Sequence, residues 1–315
     1  MSGGTPVLAA VDWGTSRFRL WLLACDGAVL ARSDGDDGLE AARAAGFESV
    51  LRRHLQAVAA PEALPVLVCG MAGSRQGWVE APYVEVPAAL DAVAQAVVPV
   101  PGVGRDVRIV PGLAKRDAAA PDVMRGEETI LIGVTPESAS GRARICLPGT
   151  HSKWVEMEGR RVADFATHLT GELYAVLSGH SILRHSVAGT GTKVDPEDPE
   201  FLEALRRALD PAGHLTAGLF PIRAAALLAG LAPAAASARL SGLLIGAEIA
   251  AALPPDSADR TVTLVASGRM ARLYERALAE AGAAATCLDA EAAVCRGLLA
   301  IARRTQPTGF ARQSA

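Results

Sequence analysis

The chain has 315 residues, of which 50% are hydrophobic, 21% charged and 4% aromatic, with a formal net charge of −3. This length predicts roughly two domains, and so apolar a composition excludes disorder of the whole chain. The slight negative charge argues against a nucleic-acid or anionic-membrane surface, because both require clustered lysine and arginine. The low aromatic content argues against stacking platforms for single-stranded nucleic acid.

The first half of the chain begins with two apolar strands, at 7–11 and 18–24, separated by Asp12-Trp13-Gly14-Thr15-Ser16. Asp26-Gly27 predicts a hairpin turn, because both residues tolerate positive φ, and 28–32 is then the return strand. Apolar spacing predicts four more elements, with Asp122 as a cap for the last, and an irregular stretch rich in Pro and Gly: helix 46–59, strands 65–69 and 107–110, helix 127–134, and irregular 76–105.

The pattern restarts in the second half. A strand at 144–147 ends at Pro148-Gly149-Thr150-His151-Ser152-Lys153, a second strand follows at 154–157, and Glu158-Gly159 turns the chain into 161–165. Helical spacing and apolar runs predict the remaining elements: helices 172–183, 200–209, 219–231, 240–253, 270–281 and 291–303, and strands 261–266 and 285–288. The tail from Thr305 is polar, and we expect it to fray.

An internal repeat organises these elements. The runs 12–17 and 147–153 occupy the same place in two strand–Gly-Thr–strand–turn–strand units, and each unit opens one half of the chain. We therefore expect an α/β protein of two similar domains, 1–142 and 143–304, followed by a tail at 305–315. Two such domains suggest a cleft between them, and clefts of this kind are preferred ligand sites.

The Gly-Thr turns predict phosphate binding. Such a turn exposes successive backbone N–H groups beside a hydroxyl, which suits phosphate oxygens. An aspartate just ahead, such as Asp12, can hold a hydrated Mg²⁺, because this ion keeps several waters and takes few protein carboxylates. Each turn alone could equally be an ordinary hairpin, so the residues by themselves leave both interpretations open.

Six motifs spread along the chain carry a resemblance to a known family: Val11-Asp12-Trp13-Gly14-Thr15-Ser16, Cys69-Gly70-Met71-Ala72-Gly73-Ser74-Arg75, Met124-Arg125-Gly126-Glu127-Glu128-Thr129, Leu147-Pro148-Gly149-Thr150-His151-Ser152-Lys153-Trp154, Leu169-Thr170-Gly171-Glu172-Leu173 with His180-Ser181-Ile182-Leu183, and Leu240-Ser241-Gly242-Leu243-Leu244-Ile245-Gly246. The chain resembles the 2-dehydro-3-deoxygalactonokinases, sugar-acid kinases of the acetate/sugar kinase, heat-shock chaperone and actin superfamily. The resemblance implies two RNase H-like (actin-like ATPase) domains, with ATP and Mg²⁺ in the cleft.

The resemblance also implies roles for the two hairpins. Asp12 would organise the metal, and six turn residues would contact the ATP phosphates: Gly14, Thr15 and Ser16, opposed by Gly149, Thr150 and His151. Leu147-Pro148 departs from the superfamily, in which an acidic residue is common at that place, so Asp12 is left as the only strand-end carboxylate. Ser267-Gly268 would cover the adenosine, although an ordinary strand-to-helix turn fits the same residues.

The predicted catalytic base is a glutamate. Phosphoryl transfer to a hydroxyl usually needs a carboxylate near the acceptor. Related sugar kinases use an aspartate at a helix start, where this chain has Gly126-Glu127-Glu128. We prefer Glu127, because Ile130 and Leu131 follow it at three and four residues, as expected of an inward-facing helix start. Glu128 is the alternative, and either could be a solvated charge that the helix dipole favours.

The predicted acceptor site must hold a sugar acid. A bidentate arginine suits a carboxylate best, and Arg75, in a glycine-rich loop at a strand end, is our first choice. Arg17 is the second choice and Arg125 the third, and each of the three could also be an ordinary surface arginine. Three residues of the irregular stretch would wall the sugar site: Trp78, Glu80 and Tyr83.

The resemblance implies ATP-dependent phosphorylation of 2-dehydro-3-deoxy-D-galactonate at its 6-hydroxyl, a step of galactonate catabolism. One alternative is a kinase for another sugar acid or polyol. Another is a sugar-sensing regulator or chaperone-like ATPase, although the first strand starts near Val7 and leaves no room for a DNA-binding helix pair. The expected partners are the sugar acid and ATP, with a homo-oligomer left open.

The sequence predicts a cytoplasmic location. Its five cysteines form no Cys-x-x-Cys pair, which favours reduced thiols. The N-terminus lacks a basic region before an apolar stretch, so we expect no signal peptide. The most apolar segment, around 224–238, contains Pro233 and is shorter than the ~20 residues that a membrane span needs.

Overall fold

The computed structural model describes residues 4–188, 193–210, 213–253 and 259–305. The first 141 residues contain ten strands: β1 Leu8–Trp13, β2 Phe18–Leu23, β3 Val29–Gly35, β4 Val66–Gly70, β5 Val84–Glu85, β6 Ala88–Ala89, β7 Val98–Pro99, β8 Val107–Ile109, β9 Leu113–Lys115 and β10 Asp122–Met124. They also contain a 3₁₀ turn at Met71–Gly73 and four helices: α1 Leu39–Ala45, α2 Phe47–Ala57, α3 Leu90–Gln95 and α4 Glu127–Val134.

The described residues from 142 onward contain five strands: β11 Arg142–Leu147, β12 Ser152–Glu158, β13 Arg161–His168, β14 Thr261–Val265 and β15 Ala284–Leu288. They also contain a 3₁₀ turn at Ile182–His185 and six helices: α5 Thr170–His180, α6 Pro199–Leu209, α7 Leu215–Leu228, α8 Pro233–Ala252, α9 Gly268–Glu280 and α10 Ala290–Thr305. The predicted fray of the tail concerns residues 306–315, which lie outside the described residues.

The chain forms two compact units. The second unit comprises residues 143–156 and 165–289, and the first comprises the rest, including 157–164 and the chain from 290 onward. The main segment of the first unit ends at Arg142, and α10 is grouped with this unit, whereas the expected second domain was 143–304. The reason is backbone packing of α10 against α4: a Cβ on Gly133 would lie 1.9 Å from the Ala293 carbonyl oxygen, and one on Gly297 would lie 2.0 Å from that of Thr129.

The first unit is built on a mixed sheet with strand order β3-β2-β1-β4-β8-β7. β1 pairs antiparallel with β2 and parallel with β4, so Asp12 lies between Arg19 and Cys69. Central strands buried on both faces are apolar along nearly their whole length, as β1 and β4 are. Alternate β1 residues, including Val11 and Trp13, join the core under α2, and α10 contacts β1.

The second unit repeats this plan. Its strands are ordered β15-β14-β11-β12-β13, with β14 parallel to β11 and to β15, so the order matches β8-β4-β1-β2-β3 of the first unit. The core packs α6, α8 and α9 against the sheet. A Cβ on Gly242 of α8 would lie 2.3 Å from the Phe201 carbonyl oxygen of α6, so only glycine allows this approach. The predicted mixed α/β fold with two repeated units is confirmed.

Two local predictions are wrong. Asp122 does not cap α4: it begins β10, opposite Lys115 of β9, and the residue before the helix is Gly126. The stretch 76–105 is not wholly irregular, because it holds β5, β6, β7 and α3. Strands of two residues depend on pairing partners far away in sequence, and a six-residue helix shows less than two turns of periodicity.

By length and composition alone, α8 is the one helix among the described residues that could cross a membrane. Its apolar stretch is 67% buried within the chain. The buried side chains include Ser241 and Glu248, which have protein neighbours in the second unit. A core helix of this kind passes the same test as a membrane span, so α8 is weak evidence for a membrane.

Candidate active site

The first hairpin, Gly14-Thr15-Ser16, joins β1 to β2 in the first unit. The Gly14 N–H donates to the Arg17 carbonyl over 2.8 Å and closes the turn, and Thr15 and Ser16 are exposed. The tip of the hairpin therefore carries an exposed hydroxyl pair beside a tight backbone turn. The phosphate role predicted for this turn stays a prediction: its two hydroxyls are exposed, and the Gly14 N–H is bonded within the turn.

A buttress supports this hairpin from the loop before α1. A Cβ on Gly38 would lie 2.3 Å from the Thr15 carbonyl oxygen, so glycine is required for the approach. The Leu39 N–H donates to the Gly14 carbonyl over 3.1 Å, and the Trp13 indole N–H donates to the Asp37 carbonyl over 2.8 Å. The hairpin is thus held by backbone contacts that leave its exposed side free.

Asp12 is the last residue but one of β1, close to the hairpin. Arg19 of β2 donates a charge-assisted hydrogen bond to its carboxylate, which is 14% exposed. Burial raises the pKa of Asp12, and the Arg19 charge opposes that rise. Gly70, at the end of β4, has a φ of +89°, and a Cβ there would lie 2.5 Å from the Trp13 carbonyl oxygen and 3.4 Å from Asp12 Oδ1. The end of β4 therefore touches the Asp12 carboxylate.

The start of α4 meets the same sheet edge. Gly126 has a φ of +107°, and a Cβ on it would lie 3.5 Å from the Gly70 Cα. The Arg125 N–H donates to Glu127 Oε2 over 2.9 Å, and the Gly126 N–H donates to Glu128 Oε2 over 2.7 Å. The two glutamate side chains thus accept hydrogen bonds from the backbone N–H groups that precede their own helix. This capping role is the one predicted for Asp122.

The helix phase differs from our expectation. Glu128, not Glu127, is the buried member of the pair, and Thr129, Leu131 and Ile132 share its burial, whereas Ile130 is only half-buried. Burial, reinforced by the Glu127 charge, raises the pKa of Glu128 to about 8. Glu127 is half-buried at the helix start, so it is the member of the pair with solvent access.

A large open cavity of about 810 Å³ lies in the first unit, lined by Arg75, Glu80, Pro82, Tyr83, Ala114, Lys115, Arg116, Pro121, Asp122 and Val123. We call it the basic cavity, because three cationic side chains line it. Arg75 is 89% exposed, and its Nε lies 3.8 Å from Glu80 Oε1, so the side chain is loosely held. Three of the predicted acceptor residues, Arg75, Glu80 and Tyr83, are therefore brought together.

The other predicted acceptor residues lie elsewhere. Arg125 stacks 4.3 Å from the Tyr83 ring centroid and donates to the Ala81 carbonyl, so it supports the cavity wall from behind. Arg17 pairs with Asp36 over 2.6 Å beside the first hairpin. Trp78 packs against Trp13 in the core, with ring centroids 6.1 Å apart, and does not line the basic cavity.

The second hairpin, Gly149-Thr150-His151, joins β11 to β12 in the second unit. Thr150 and His151 are exposed, and His151 Nε2 is hydrogen-bonded to the Glu172 carboxylate. The start of α5 buttresses this turn: the Glu172 N–H donates to the Thr150 carbonyl over 3.0 Å, and a Cβ on Gly171 would lie 2.5 Å from the Gly149 carbonyl oxygen. Both hairpins are thus held by a helix start with a glycine at the closest contact.

A cavity of about 240 Å³ adjoins the second hairpin. Its lining comes from the hairpin, from three helices and from the loop residue Val194: Gly149, Thr170, Gly171, Tyr174, Ala175, Val194, Ser241, Leu244, Ile245, Arg269, Met270, Leu273 and Tyr274. We call it the α5–α9 cavity. Ser267 and Gly268 are exposed and immediately precede its α9 residues, and Ser267 Oγ donates to Asp289 over 2.7 Å. An apolar cavity with a few polar groups is typical of a small-molecule site.

Sequence reasoning missed several residues of these sites. Arg19 is opposite Asp12 only because of the β1–β2 register, and Lys115 reaches the basic cavity on a three-residue strand. Tyr174 and Ser241 line the α5–α9 cavity. The motifs 169–173 and 240–246, which carried the resemblance, were the available signal for the last two.

Two units that repeat one mixed sheet, each with a hairpin after its first strand, define the class: an actin-like ATPase fold with RNase H-like units. The activator of 2-hydroxyisocaproyl-CoA dehydratase from Clostridium difficile, solved with bound ADPNP, has this fold. It superposes with a TM-score of 0.53 over 96% of both chains at 11% identity. At this identity the likeness shows the fold alone.

The chain belongs to the 2-keto-3-deoxy-galactonokinase family, whose model matches residues 12–301. It is 48% identical over 299 residues to a protein of Rhizobium meliloti (strain 1021) provisionally named 2-dehydro-3-deoxygalactonokinase DgoK1, covering 95% of this chain and 97% of the relative. It is 34% identical over 302 residues to the 2-dehydro-3-deoxygalactonokinase of Escherichia coli (strain K12), covering 93% and 96%. The chain is accordingly a sugar-acid kinase.

A solved structure agrees with this assignment. The crystal structure of a Sinorhizobium meliloti protein, provisionally named a 2-dehydro-3-deoxygalactonokinase, superposes with a TM-score of 0.90 at 47% identity. The match covers 95% of this chain and 99% of that one. The fold and the family resemblance predicted from the sequence are therefore both confirmed.

Proposed function

We propose that this protein transfers the γ-phosphoryl group of ATP to the 6-hydroxyl of 2-dehydro-3-deoxy-D-galactonate. The products are ADP and 2-dehydro-3-deoxy-6-phospho-D-galactonate, and the proposed setting is galactonate catabolism in the cytoplasm. The observation that carries the proposal is the meeting of three strand and helix ends in the first unit. There the Asp12 carboxylate, the Gly70 backbone and the glutamate pair of α4 lie side by side.

Asp12 fits a magnesium ion that comes with the nucleotide. Among the described residues no group of three or more His, Cys, Asp or Glu side chains could hold an ion by itself. Mg²⁺ commonly takes only one or two carboxylates and completes its shell with water and substrate phosphates. Asp12 would hold such an ion, which supplies charge neutralisation, while Arg19 fixes the carboxylate at the strand end.

We propose Glu127 as the general base. A base must contact the hydroxyl whose proton it accepts and must be ionised at working pH. Glu128 has no exposed surface, and its pKa of about 8 leaves it mostly protonated at neutral pH. Glu127 is half-buried at the helix start and meets the first requirement. Glu128 then serves to hold the Gly126 backbone.

We propose the basic cavity as the acceptor site, with Arg75 as the anchor of the substrate carboxylate. Arg75 is exposed, and its ion pair with Glu80 is long, as suits an arginine that binds a ligand. Lys115 and Arg116 line the same cavity, but Lys115 is paired with Asp164 over 2.7 Å and Arg116 lies 3.6 Å from Glu85. Arg75 is therefore the cation that would meet the acceptor, and an arginine there favours a sugar acid over a neutral polyol. Glu80 and Tyr83 would wall the site, and Arg125 keeps the Tyr83 ring in place.

We propose that the second unit binds the nucleotide. The α5–α9 cavity would take the adenosine, with Ser267 and Gly268 at its rim. Two hairpins would contact the phosphates through Gly14, Thr15 and Ser16 in the first unit and Gly149, Thr150 and His151 in the second. The support is the exposure of both tips and the rigid backing of each by a helix start.

The test is ADP release measured across a panel of 2-keto-3-deoxy sugar acids, neutral polyols and a reaction without acceptor, each with ATP and Mg²⁺. We expect the highest kcat/KM with 2-dehydro-3-deoxy-D-galactonate, and phosphorus–carbon coupling in the product NMR spectrum at C6. Preference for a polyol would overturn the acceptor assignment. Equal ADP release without any acceptor would favour a chaperone-like or sensing ATPase.

A further inference from the structure

A buried chain of hydrogen bonds runs from α8 to the second hairpin. The Trp154 indole N–H donates to Glu248 Oε1 over 2.9 Å, and the Tyr274 hydroxyl donates to Glu248 Oε2 over 2.7 Å. Ser152 Oγ lies 3.2 Å from the Tyr274 hydroxyl, and the Gly149 N–H donates to Ser152 Oγ over 3.4 Å. The chain therefore begins at a carboxylate in the core and ends at the first residue of the hairpin.

While Glu248 is ionised, the donor and the acceptor of each hydrogen bond in this chain are fixed. An indole N–H only donates and a carboxylate only accepts, so Trp154 and Tyr274 both give their hydrogen to Glu248. The Tyr274 oxygen then accepts from Ser152. The Ser152 oxygen is left to accept the Gly149 N–H. Burial and the nearby Glu248 charge raise the pKa of Tyr274, so its hydroxyl stays protonated and the direction is maintained.

The burial of this chain makes it costly to interrupt. Ser152, Tyr274, Glu248 and Trp154 are each at most 4% exposed, so water cannot replace a lost partner. A buried polar group left unpaired costs about 1–3 kcal/mol, and a buried charge costs more. A carboxylate in the middle of the apolar helix α8 is therefore kept in place by its two donors.

We infer that Glu248 is a positioning residue for the second hairpin and acts through Tyr274 and Ser152. The inference rests on the proposed function, in which that hairpin contacts the ATP phosphates. Tyr274 also lines the α5–α9 cavity, so one side chain joins the wall of the proposed nucleotide site to the hairpin. The Gly149 N–H is bonded to Ser152 Oγ, so hydrogen bonds from this hairpin to phosphate would come from Thr150 and His151, and Gly149 would contribute a close approach without a side chain.

The experiment compares Tyr274→Phe, Ser152→Ala and the double variant with Ser237→Ala as control. Ser237 is a buried α8 serine bonded to Ala188 and Pro233, outside this chain. We expect each single variant to raise the Kd of a non-hydrolysable ATP analogue and the KM for ATP about three- to tenfold, with the KM for the sugar acid unchanged. The double variant should match the more severe single variant, because both break one chain, and Ser237→Ala should leave both constants unchanged.

Glu248→Gln tests the direction of the chain. Trp154 can only donate, so the amide oxygen must face it and the amide NH₂ must face Tyr274. Tyr274 would then donate to Ser152, which still accepts the Gly149 N–H. We therefore expect the loss of ATP affinity in Glu248→Gln to be no more than half of the loss in Tyr274→Phe. Thermal unfolding is the fold control.

Three results would overturn the inference: folded Tyr274→Phe and Ser152→Ala variants with wild-type ATP affinity, effects that multiply in the double variant, or a Glu248→Gln variant weaker than Tyr274→Phe. If Tyr274→Phe does not fold, the inference is overturned instead by a folded Ser152→Ala variant with wild-type ATP affinity, or by a Glu248→Gln variant that binds ATP more weakly than Ser152→Ala does. Analogue binding needs no turnover, so a wild-type protein that binds ATP but does not phosphorylate the sugar acid would count against the proposed function alone.

Discussion

The two hairpins occupy equivalent places but differ in where they keep their charge. In the first, Asp12 is the last residue but one of the leading strand and pairs with Arg19 on the next one. Counting from the Gly-Thr pair that the two hairpins share, the positions equivalent to Asp12 and Arg19 hold Leu147 and Trp154 in the second hairpin. Both of these side chains are buried. The buried carboxylate of the second unit, Glu248, lies in the core instead. Under the proposed function, this difference would place the metal beside the first hairpin, and the second hairpin would meet the phosphates without a carboxylate at its leading strand.

The backing of the two hairpins is alike despite that difference. Gly38 supports the first turn and Gly171 supports the second, each where a Cβ would collide with hairpin backbone at 2.3 or 2.5 Å. A helix start follows in both cases, at α1 and at α5. The shared feature is therefore a rigid backbone position for the turn, and the varied feature is the charge next to it.

The largest expected effect separates the two strand ends. Asp12→Ala removes the proposed metal carboxylate, and we expect kcat to fall roughly 10³-fold or more, since a catalytic metal stabilises several kcal/mol of transition-state charge. Leu147→Ala at the equivalent position should instead lower the free energy of unfolding by about 2–5 kcal/mol, as for a buried leucine, with little change in kcat. Turnover against Mg²⁺ concentration and urea unfolding measure the two. Similar kcat values in both variants would contradict the asymmetry.

The next effect concerns the glutamate pair. Glu127→Gln keeps the shape of the side chain but removes the proposed base, so we expect kcat to fall about 10²–10⁴-fold with little change in either KM. Glu128→Gln should be milder, because this carboxyl is buried and mostly protonated. Single-turnover rates under saturating substrates check the order. If Glu128→Gln is the more damaging variant, the base is the buried residue.

A third prediction tests the acceptor site. Arg75→Met should raise the KM for the sugar acid roughly ten- to a hundredfold, the usual loss for a charge-assisted hydrogen bond, while the KM for ATP stays constant. Arg17→Met, which removes an arginine paired with Asp36 beside the first hairpin, is the matched control. A larger effect of Arg17→Met on the sugar acid would move the carboxylate site to the hairpin.

The glycine buttresses give a smaller, symmetric effect. Gly38→Ala and Gly171→Ala each force a Cβ into hairpin backbone, so we expect the unfolding free energy to fall by about 1–3 kcal/mol, as in overpacked cores. The KM for ATP should rise several-fold in both. Gly179→Ala in α5, where a Cβ would meet nothing within 4 Å, should leave the KM for ATP unchanged and raise the unfolding free energy by up to about 1 kcal/mol, as glycine-to-alanine changes in helices do. A loss confined to one hairpin would show that only that turn contacts the nucleotide.

The sequence predicted the parts of this fold that local pattern determines. Apolar strands, glycine turns and the repeat of the Gly-Thr hairpin define both sheets, and each was located within a few residues. Contacts between distant segments decide the rest. The grouping of α10 with the first unit depends on Gly133 and Gly297, and the place of Arg19 depends on strand register.

The candidate site shows the same division. Arg75, Glu80 and Tyr83 share the basic cavity as expected, whereas Trp78 belongs to the aromatic core around Trp13. The phase predicted for α4 was wrong because its buried face carries Glu128, Leu131 and Ile132, whereas Glu127 and Ile130 are only half-buried. The predicted cleft and the residue roles stay predictions.

The smallest expected effect is a change in pH dependence that only the buried glutamate can cause. The folded-state pKa of Glu128 is about 8, raised by burial and by Glu127, against 4.5 for an exposed glutamate. Between these values the folded protein binds a proton that the unfolded chain releases. Its stability must therefore fall as pH rises through this window, and the loss is complete above pH 8.

Glu128→Gln removes this titration and keeps an acceptor for the Gly126 N–H. We therefore expect wild type and variant to have similar unfolding free energies near pH 4.5, where both side chains are neutral, and the advantage of the variant to grow by roughly 1–3 kcal/mol between pH 6 and pH 9. Glu127→Gln leaves the buried carboxyl in place and is the control. Its unfolding free energy should fall as pH rises, as in the wild type. Parallel wild-type and Glu128→Gln stability curves from pH 5 to pH 9 would show that Glu128 is ionised in the folded protein. The second glutamate of α4 would then be available as a base, and the two hairpins would differ by two ionised carboxylates beside the first and not one.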